Sequence, residues 1–85
     1  MKFTVYYRKQ CGYSEAALQL LKDTNKPYIA HEVSAFGGKD KVIRELRANN
    51  FIPKESTHNT VPIVFDPKNR FIGGHTELKS YIAKK

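Results

Sequence analysis

Phe3-Thr4-Val5-Tyr6-Tyr7 opens the chain with a β-branched and aromatic run, which predicts a strand near the centre of a sheet. The spacing then changes. From Ser14 onward Ala17, Leu18 and Leu21 recur at helical intervals, and Leu20 widens the stripe. Gln19, Lys22 and Asp23 take the wet side. Asn25-Lys26-Pro27 ends this helix, because the residue before a proline avoids helical angles. Tyr28 to Val33 predicts a second strand with imperfect alternation. Strand, helix and strand within about 30 residues make a βαβ unit, hence two parallel strands and a right-handed crossover.

Ser34 to Gly38 reads as a loop, and Asp40 to Asn49 as a second helix with Val42, Ile43 and Leu46 inward. Phe51 to Asn59 is a polar loop with an apolar start and a break at Pro53. It is long for so short a chain, which hints at a role. Val61 to Phe65 predicts a third strand, Asp66-Pro67-Lys68-Asn69 a turn, and Arg70-Phe71-Ile72 a short fourth strand. The tight turn makes these two strands an antiparallel hairpin. Gly73-Gly74 breaks the strand, and Thr76 to Ala83 predicts a last helix with Leu78, Tyr81 and Ile82 facing in. The order β-α-β-α-β-β-α implies an α/β fold: a four-stranded mixed sheet with helices on both faces.

With 85 residues the expectation is one domain over 1–85. A domain of that size buries only about 60–65% of its unfolded surface, so its core must be economical. Five Tyr and five Phe help to supply it. No apolar run approaches the ~20 residues of a membrane span. Met1-Lys2 leads straight into a strand, so no secretory leader is expected. A single cysteine, Cys11, rules out an internal disulfide framework and fits a reducing, cytoplasmic setting. The net charge of +7 is spread along the chain, apart from Arg8-Lys9 and Lys84-Lys85. No zinc-finger spacing or RNA-binding signature accompanies it, so a small anionic ligand is expected in place of nucleic acid.

Arg8-Lys9-Gln10-Cys11-Gly12-Tyr13-Ser14 is where the first strand hands over to the first helix. The first N–H groups of a helix lack internal partners and carry partial positive charge. They favour thiolate over thiol, and Arg8 and Lys9 add two formal charges nearby. The residues therefore suggest a reactive nucleophile. The alternative is a buried structural thiol, against which the polar flanks count. His31, His58 and His75 form no Cys/His pair with ligand spacing, so they are read as structural or surface residues and no metal is expected.

Three motifs resemble those of glutaredoxins, in an order that is the minimal thioredoxin fold. Cys11-Gly12-Tyr13-Ser14 resembles the Cys-Pro-Tyr-Cys active site and its one-cysteine variant Cys-Gly-Phe-Ser. Thr60-Val61-Pro62 resembles a Thr-Val-Pro with a cis-proline, and Gly73-Gly74-His75-Thr76-Glu77-Leu78 resembles the Gly-Gly turn before the last helix. The compact length and the Phe-Asp-Pro-Lys-Asn turn are also similar to small phage and viral glutaredoxins. The resemblance makes Cys11 the nucleophile and glutathione the co-substrate. It gives Arg8, with Lys9, the glycine carboxylate, and makes Tyr13 a groove wall. The backbone of Val61, between Thr60 and Pro62, pairs with the tripeptide. Gly74 and Thr76 lie at the γ-glutamyl carboxylate, with Thr76 as the helix cap, and Glu77 stands where the family usually has an aspartate for the ammonium.

Ser14 occupies the place of the resolving cysteine in two-cysteine members. The resemblance then implies a monomeric oxidoreductase that reduces glutathione mixed disulfides through Cys11 alone. Its partners would be glutathionylated or disulfide-bearing proteins. Ser14 is either natural or a serine replacing the cysteine of a dithiol electron donor, for example to ribonucleotide reductase. Gly12, in place of the usual proline, should loosen the helix start. An alternative function is an iron–sulfur carrier in which two chains share one cluster, each giving Cys11.

Overall fold

The computed structural model describes residues 2–84. Met1 and Lys85, the latter half of the Lys84-Lys85 pair, lie outside the described residues. The elements are β1 (Phe3–Tyr7), α1 (Gly12–Asp23), β2 (Tyr28–Glu32), a 3-10 turn (Val33–Phe36), α2 (Lys39–Ala48), β3 (Ile63–Phe65), β4 (Phe71–Gly73) and α3 (His75–Ala83). The sheet order is β2-β1-β3-β4. β1 runs parallel to β2 and antiparallel to β3, and β3 is antiparallel to β4. This is the mixed sheet the sequence implies, with β1 in the interior of the sheet as expected.

The period of two along the strands divides the core in half. Phe3, Val5 and Val64 point to one face, where Ala17 and Leu21 of α1 and Leu78 of α3 cover them. Ile63 and Phe65 point to the other, against Val42, Ile43 and Leu46 of α2, with Val33, Ile52 and Val61 completing the cluster. Helices on both faces follow from this alternation.

Of the boundaries that differ from the sequence reading, four have a clear local reason; α1, α2 and α3 also begin one or two residues earlier, α2 ends at Ala48, and Gly73 closes β4 instead of breaking it. Val33 leaves β2 because the Glu32 side chain accepts hydrogen bonds from the Ser34 N–H and hydroxyl and turns the chain into a 3-10 helix. Gly37, at φ 95°, ends that turn. β3 starts at Ile63, after a proline with no N–H to give the ladder. Arg70 belongs to the turn: its N–H donates to Asp66 Oδ1 at 2.8 Å and its carbonyl accepts from the Asp66 N–H at 2.9 Å.

The fourth difference corrects the reading of Thr76. The cap of α3 is Gly74, and Thr76 is the second residue inside the helix. Glu77 does the capping work, since its Oε1 accepts from the Gly74 N–H at 2.8 Å. Gly73 makes this possible. At φ 131°, it has Glu77 Cγ 2.8 Å from where a Cβ would stand. Any side chain there would push the carboxylate off its donor.

Candidate active site

Two helix starts and one proline loop build the site. Cys11 is the N-cap residue of α1, in an extended conformation, and its carbonyl takes the first helical bond from the Glu15 N–H at 2.9 Å. Its side chain is partly exposed, packed against the core cluster that contains Val61. The buried-thiol alternative is therefore not what the fold presents.

The sulfur makes no formed capping hydrogen bond. It is nonetheless placed so that negative charge on it is favoured. The Ser14 N–H lowers the thiol pKa most, then the Ser14 hydroxyl; burial opposes them, and the Tyr13 N–H and Arg8 charge add still smaller lowering effects. These are the unpaired N–H groups of the first helical turn. Ser14 is fully buried, and its Oγ accepts from the Arg8 N–H at 3.3 Å. That bond leaves the hydroxyl proton free to be directed at sulfur.

The Arg8-Lys9 pair adds only the last and smallest electrostatic contributions nearby. Arg8 contributes to lowering the Cys11 pKa, and Lys9 to lowering that of Glu32, whose carboxyl is held down first by the Ser34 hydroxyl and N–H. Both cations are exposed.

A groove of about 280 Å³ contains most of the other residues singled out in the sequence: Tyr13, Thr60, Val61, Pro62, Gly74, Thr76 and Glu77. Arg8, Lys9, Cys11 and Ser14 are not among its lining residues. The Val61–Pro62 peptide is cis, as expected. Tyr13 is 68% exposed and forms an open wall, its ring centroid 6.4 Å from that of His75. At its start, α3 makes its first helical bond from the Leu78 N–H to the Gly74 carbonyl at 2.9 Å. The N–H groups of His75, Thr76 and Glu77 precede it and have no place in the helical ladder.

Two groove residues escaped the sequence reading. His58 and His75 line the groove, whereas His31 packs far along the sheet against Tyr6 and Phe36. The available signal was position: His75 lies inside the Gly-Gly motif, and His58 two residues before Thr60. Arg47 of α2, outside the groove, was also missed and holds the long loop. Its Nη1 donates to the Ser56 carbonyl at 2.8 Å and its Nη2 to that of His58 at 2.6 Å, pinning residues 56–58. Among the described residues, no group of three or more His, Cys, Asp or Glu is placed to hold a metal ion, and no helix is long and apolar enough to cross a membrane.

Comparison with known proteins agrees with this geometry. The chain is 28% identical over 82 residues to a probable glutaredoxin of Acanthamoeba polyphaga mimivirus, covering 94% of this chain and 76% of that protein. Its structure matches glutaredoxin 1 of Francisella tularensis with a TM-score of 0.82 at 26% identity, over 98% of this chain and 93% of that one. It matches a dithiolic glutaredoxin of Trypanosoma brucei brucei at 0.69 and 28%, over 98% and 78%. The glutaredoxin family model matches residues 3–72. With a thioredoxin-type sheet, a thiol at a helix start and a cis-proline beside a groove, the chain belongs to the glutaredoxin family, whose members are thiol–disulfide oxidoreductases.

Proposed function

We propose that this protein reduces glutathione mixed disulfides by a one-cysteine route through Cys11. The supporting observation is a partly exposed sulfur at the cap of α1, favoured as thiolate, with the Thr60–Pro62 and Gly74–Glu77 groove nearby. The Cys11 thiolate attacks the glutathione sulfur of a mixed disulfide. A Cys11–glutathione disulfide forms, the substrate sulfur leaves as thiolate, and it takes a proton from solvent. A second glutathione thiolate then attacks the glutathione sulfur on Cys11. Glutathione disulfide forms and the Cys11 thiolate is restored.

The groove supplies the tripeptide's contacts. Val61 offers its backbone N–H and carbonyl to the cysteinyl unit between Thr60 and Pro62, a one-residue strand addition. Tyr13 covers one side. Arg8 meets the glycine carboxylate, with Lys9 beside it in the chain sharing that task. The γ-glutamyl carboxylate sits on the open N–H groups of Thr76 and its neighbours at the start of α3, beside Gly74. Glu77 meets the ammonium with Oε2, since Oε1 holds the Gly74 N–H.

Ser14 cannot resolve a mixed disulfide. Its task is to hold the Cys11 thiolate. The protein acts as a monomer in the cytoplasm on glutathionylated proteins; if residue 14 was once cysteine, ribonucleotide reductase is a fitting acceptor. The test is intact mass after incubation with oxidised glutathione. One glutathione adduct, absent in Cys11→Ser, is expected. No adduct on the wild-type protein, or an adduct that persists in the variant, overturns the reading. A brown dimer on purification would replace it with the cluster-carrier alternative.

A further inference from the structure

His58 touches each part of the groove that must be held in register. Its Nε2 lies 3.2 Å from the Pro62 carbonyl, an acceptor, and donates to it in the tautomer that carries the proton on Nε2. Its Cε1 would stand 3.2 Å from a Cβ at Gly74, the cap of α3. Its ring meets Phe71 of β4 edge-on, with centroids 5.6 Å apart. The residue is itself tied down. Its N–H donates to Ser56 Oγ at 3.2 Å, and its carbonyl takes the 2.6 Å bond from Arg47.

One side chain thus connects the proline loop to the start of α3, and Arg47 connects that side chain to α2. Pro62 and Gly74 lie at the open end of the β3–β4 hairpin, just beyond the Val64–Gly73 pair, where the ladder stops and His58 is the side chain that spans both. Their separation decides whether backbone groups on both can engage one short peptide at once. Sub-ångström to 1 Å errors in such spacing are costly for a positioned ligand.

We propose that His58 is a positioning residue for tripeptide recognition: by bridging the Pro62 carbonyl and the Gly74 cap it fixes the two walls of the groove, with Arg47 holding it from behind. The inference rests on the glutathione reading above. It assigns His58 no direct role in the chemistry at sulfur. It therefore affects reaction with a disulfide that fills the groove and not with one that does not.

The test compares the rates at which reduced protein reacts with oxidised glutathione and with hydroxyethyl disulfide, each followed by intact mass. The wild-type protein should prefer oxidised glutathione. His58→Phe keeps a ring against Phe71 and removes the donor. It should lower that preference roughly three- to tenfold, the range of one ordinary hydrogen bond, and leave the hydroxyethyl disulfide rate unchanged. His58→Gln keeps an N–H donor and should retain most of the preference. Arg47→Ala, outside the groove, should lower it in the same direction.

An unchanged preference in His58→Phe overturns the inference alone. So does a parallel fall in both rates, which marks general loss of structure, or a loss in His58→Gln as deep as in His58→Phe, which marks ring packing only. A wild-type protein with no preference overturns the glutathione reading and takes this inference with it.

Discussion

The starts of α1 and α3 are built alike and finished differently. Each closes its first helical bond at 2.9 Å onto its cap carbonyl, Cys11 in one and Gly74 in the other. Neither has a side-chain oxygen in the capping position. At α3 the chain supplies a carboxylate of its own, Glu77, which takes the cap N–H. At α1 it supplies a sulfur and stops short of a formed bond. A helix start with its own acceptor is a stable end. A helix start facing an unbonded thiol holds its electrostatic stabilisation for the ionised form of that thiol. The difference lies at two matching positions, Cys11 against Gly74 at the cap and Ser14 against Glu77 at the third helical residue, and it separates a start whose cap N–H the chain closes itself from one that carries a reactive thiol.

The comparison breaks most completely at Cys11→Ser. Glutathione-dependent reduction of a small mixed disulfide should fall to background while the thermal midpoint stays close to wild type; most turnover surviving would remove Cys11 from the chemistry.

Ser14→Ala sharpens the same point. It deletes the hydroxyl that favours the thiolate, so the alkylation pH profile should move its midpoint upward, and at neutral pH the rate should drop a few fold. The sign is fixed by the direction of the shift. A thiol pKa below its unfolded value adds stability that is present above the unfolded pKa and is lost as pH falls through the folded one. The reduced wild-type protein should therefore gain stability on going up through that window, and Ser14→Ala should gain less. A midpoint that stays put would mean the hydroxyl serves only the Arg8 N–H.

At α3 the corresponding change is Glu77→Ala. Removal of the cap acceptor should cost about 0.5–2 kcal/mol of stability, read by denaturant unfolding, with little change in Cys11 alkylation. An unchanged stability would show the bond to Gly74 to be idle. The smallest expected effect belongs to Arg8→Ala. It should weaken glutathione binding, more visibly at low salt because exposed charges are screened. Equal affinity at all salt concentrations would take Arg8 out of the site.

How much of this was legible depends on whether the controlling contact was local. The strand at 3–7, the stripe Ala17-Leu18-Leu21 and the inward set Val42, Ile43 and Leu46 were readable, because periodicity is a property of neighbours in the chain. The cis bond at Pro62 was anticipated from its motif, and the observed isomer agrees. Thr76 was misread as a cap because threonine is a good one. Gly74 was preferred because Gly73 lets Glu77 reach back, a geometry set by φ 131° and not by residue preference. His58 and Arg47 were missed because their contacts depend on how the 51–59 loop folds back onto α2 and the start of α3, a path that residue spacing does not show.

By itself, then, the sequence determined the order of elements, the two-sided core and the placing of a lone thiol at a strand-to-helix junction. Those follow from spacing, from turn residues and from the unpaired groups that every helix start carries. Tertiary structure alone decided which residue caps α3, and that an arginine on α2 holds the loop whose histidine lines the groove wall. Such choices turn on backbone angles and side-chain directions that the packed fold sets, such as φ 131° at Gly73 and the path of the 56–58 loop over α2, and the order of residue types does not contain them.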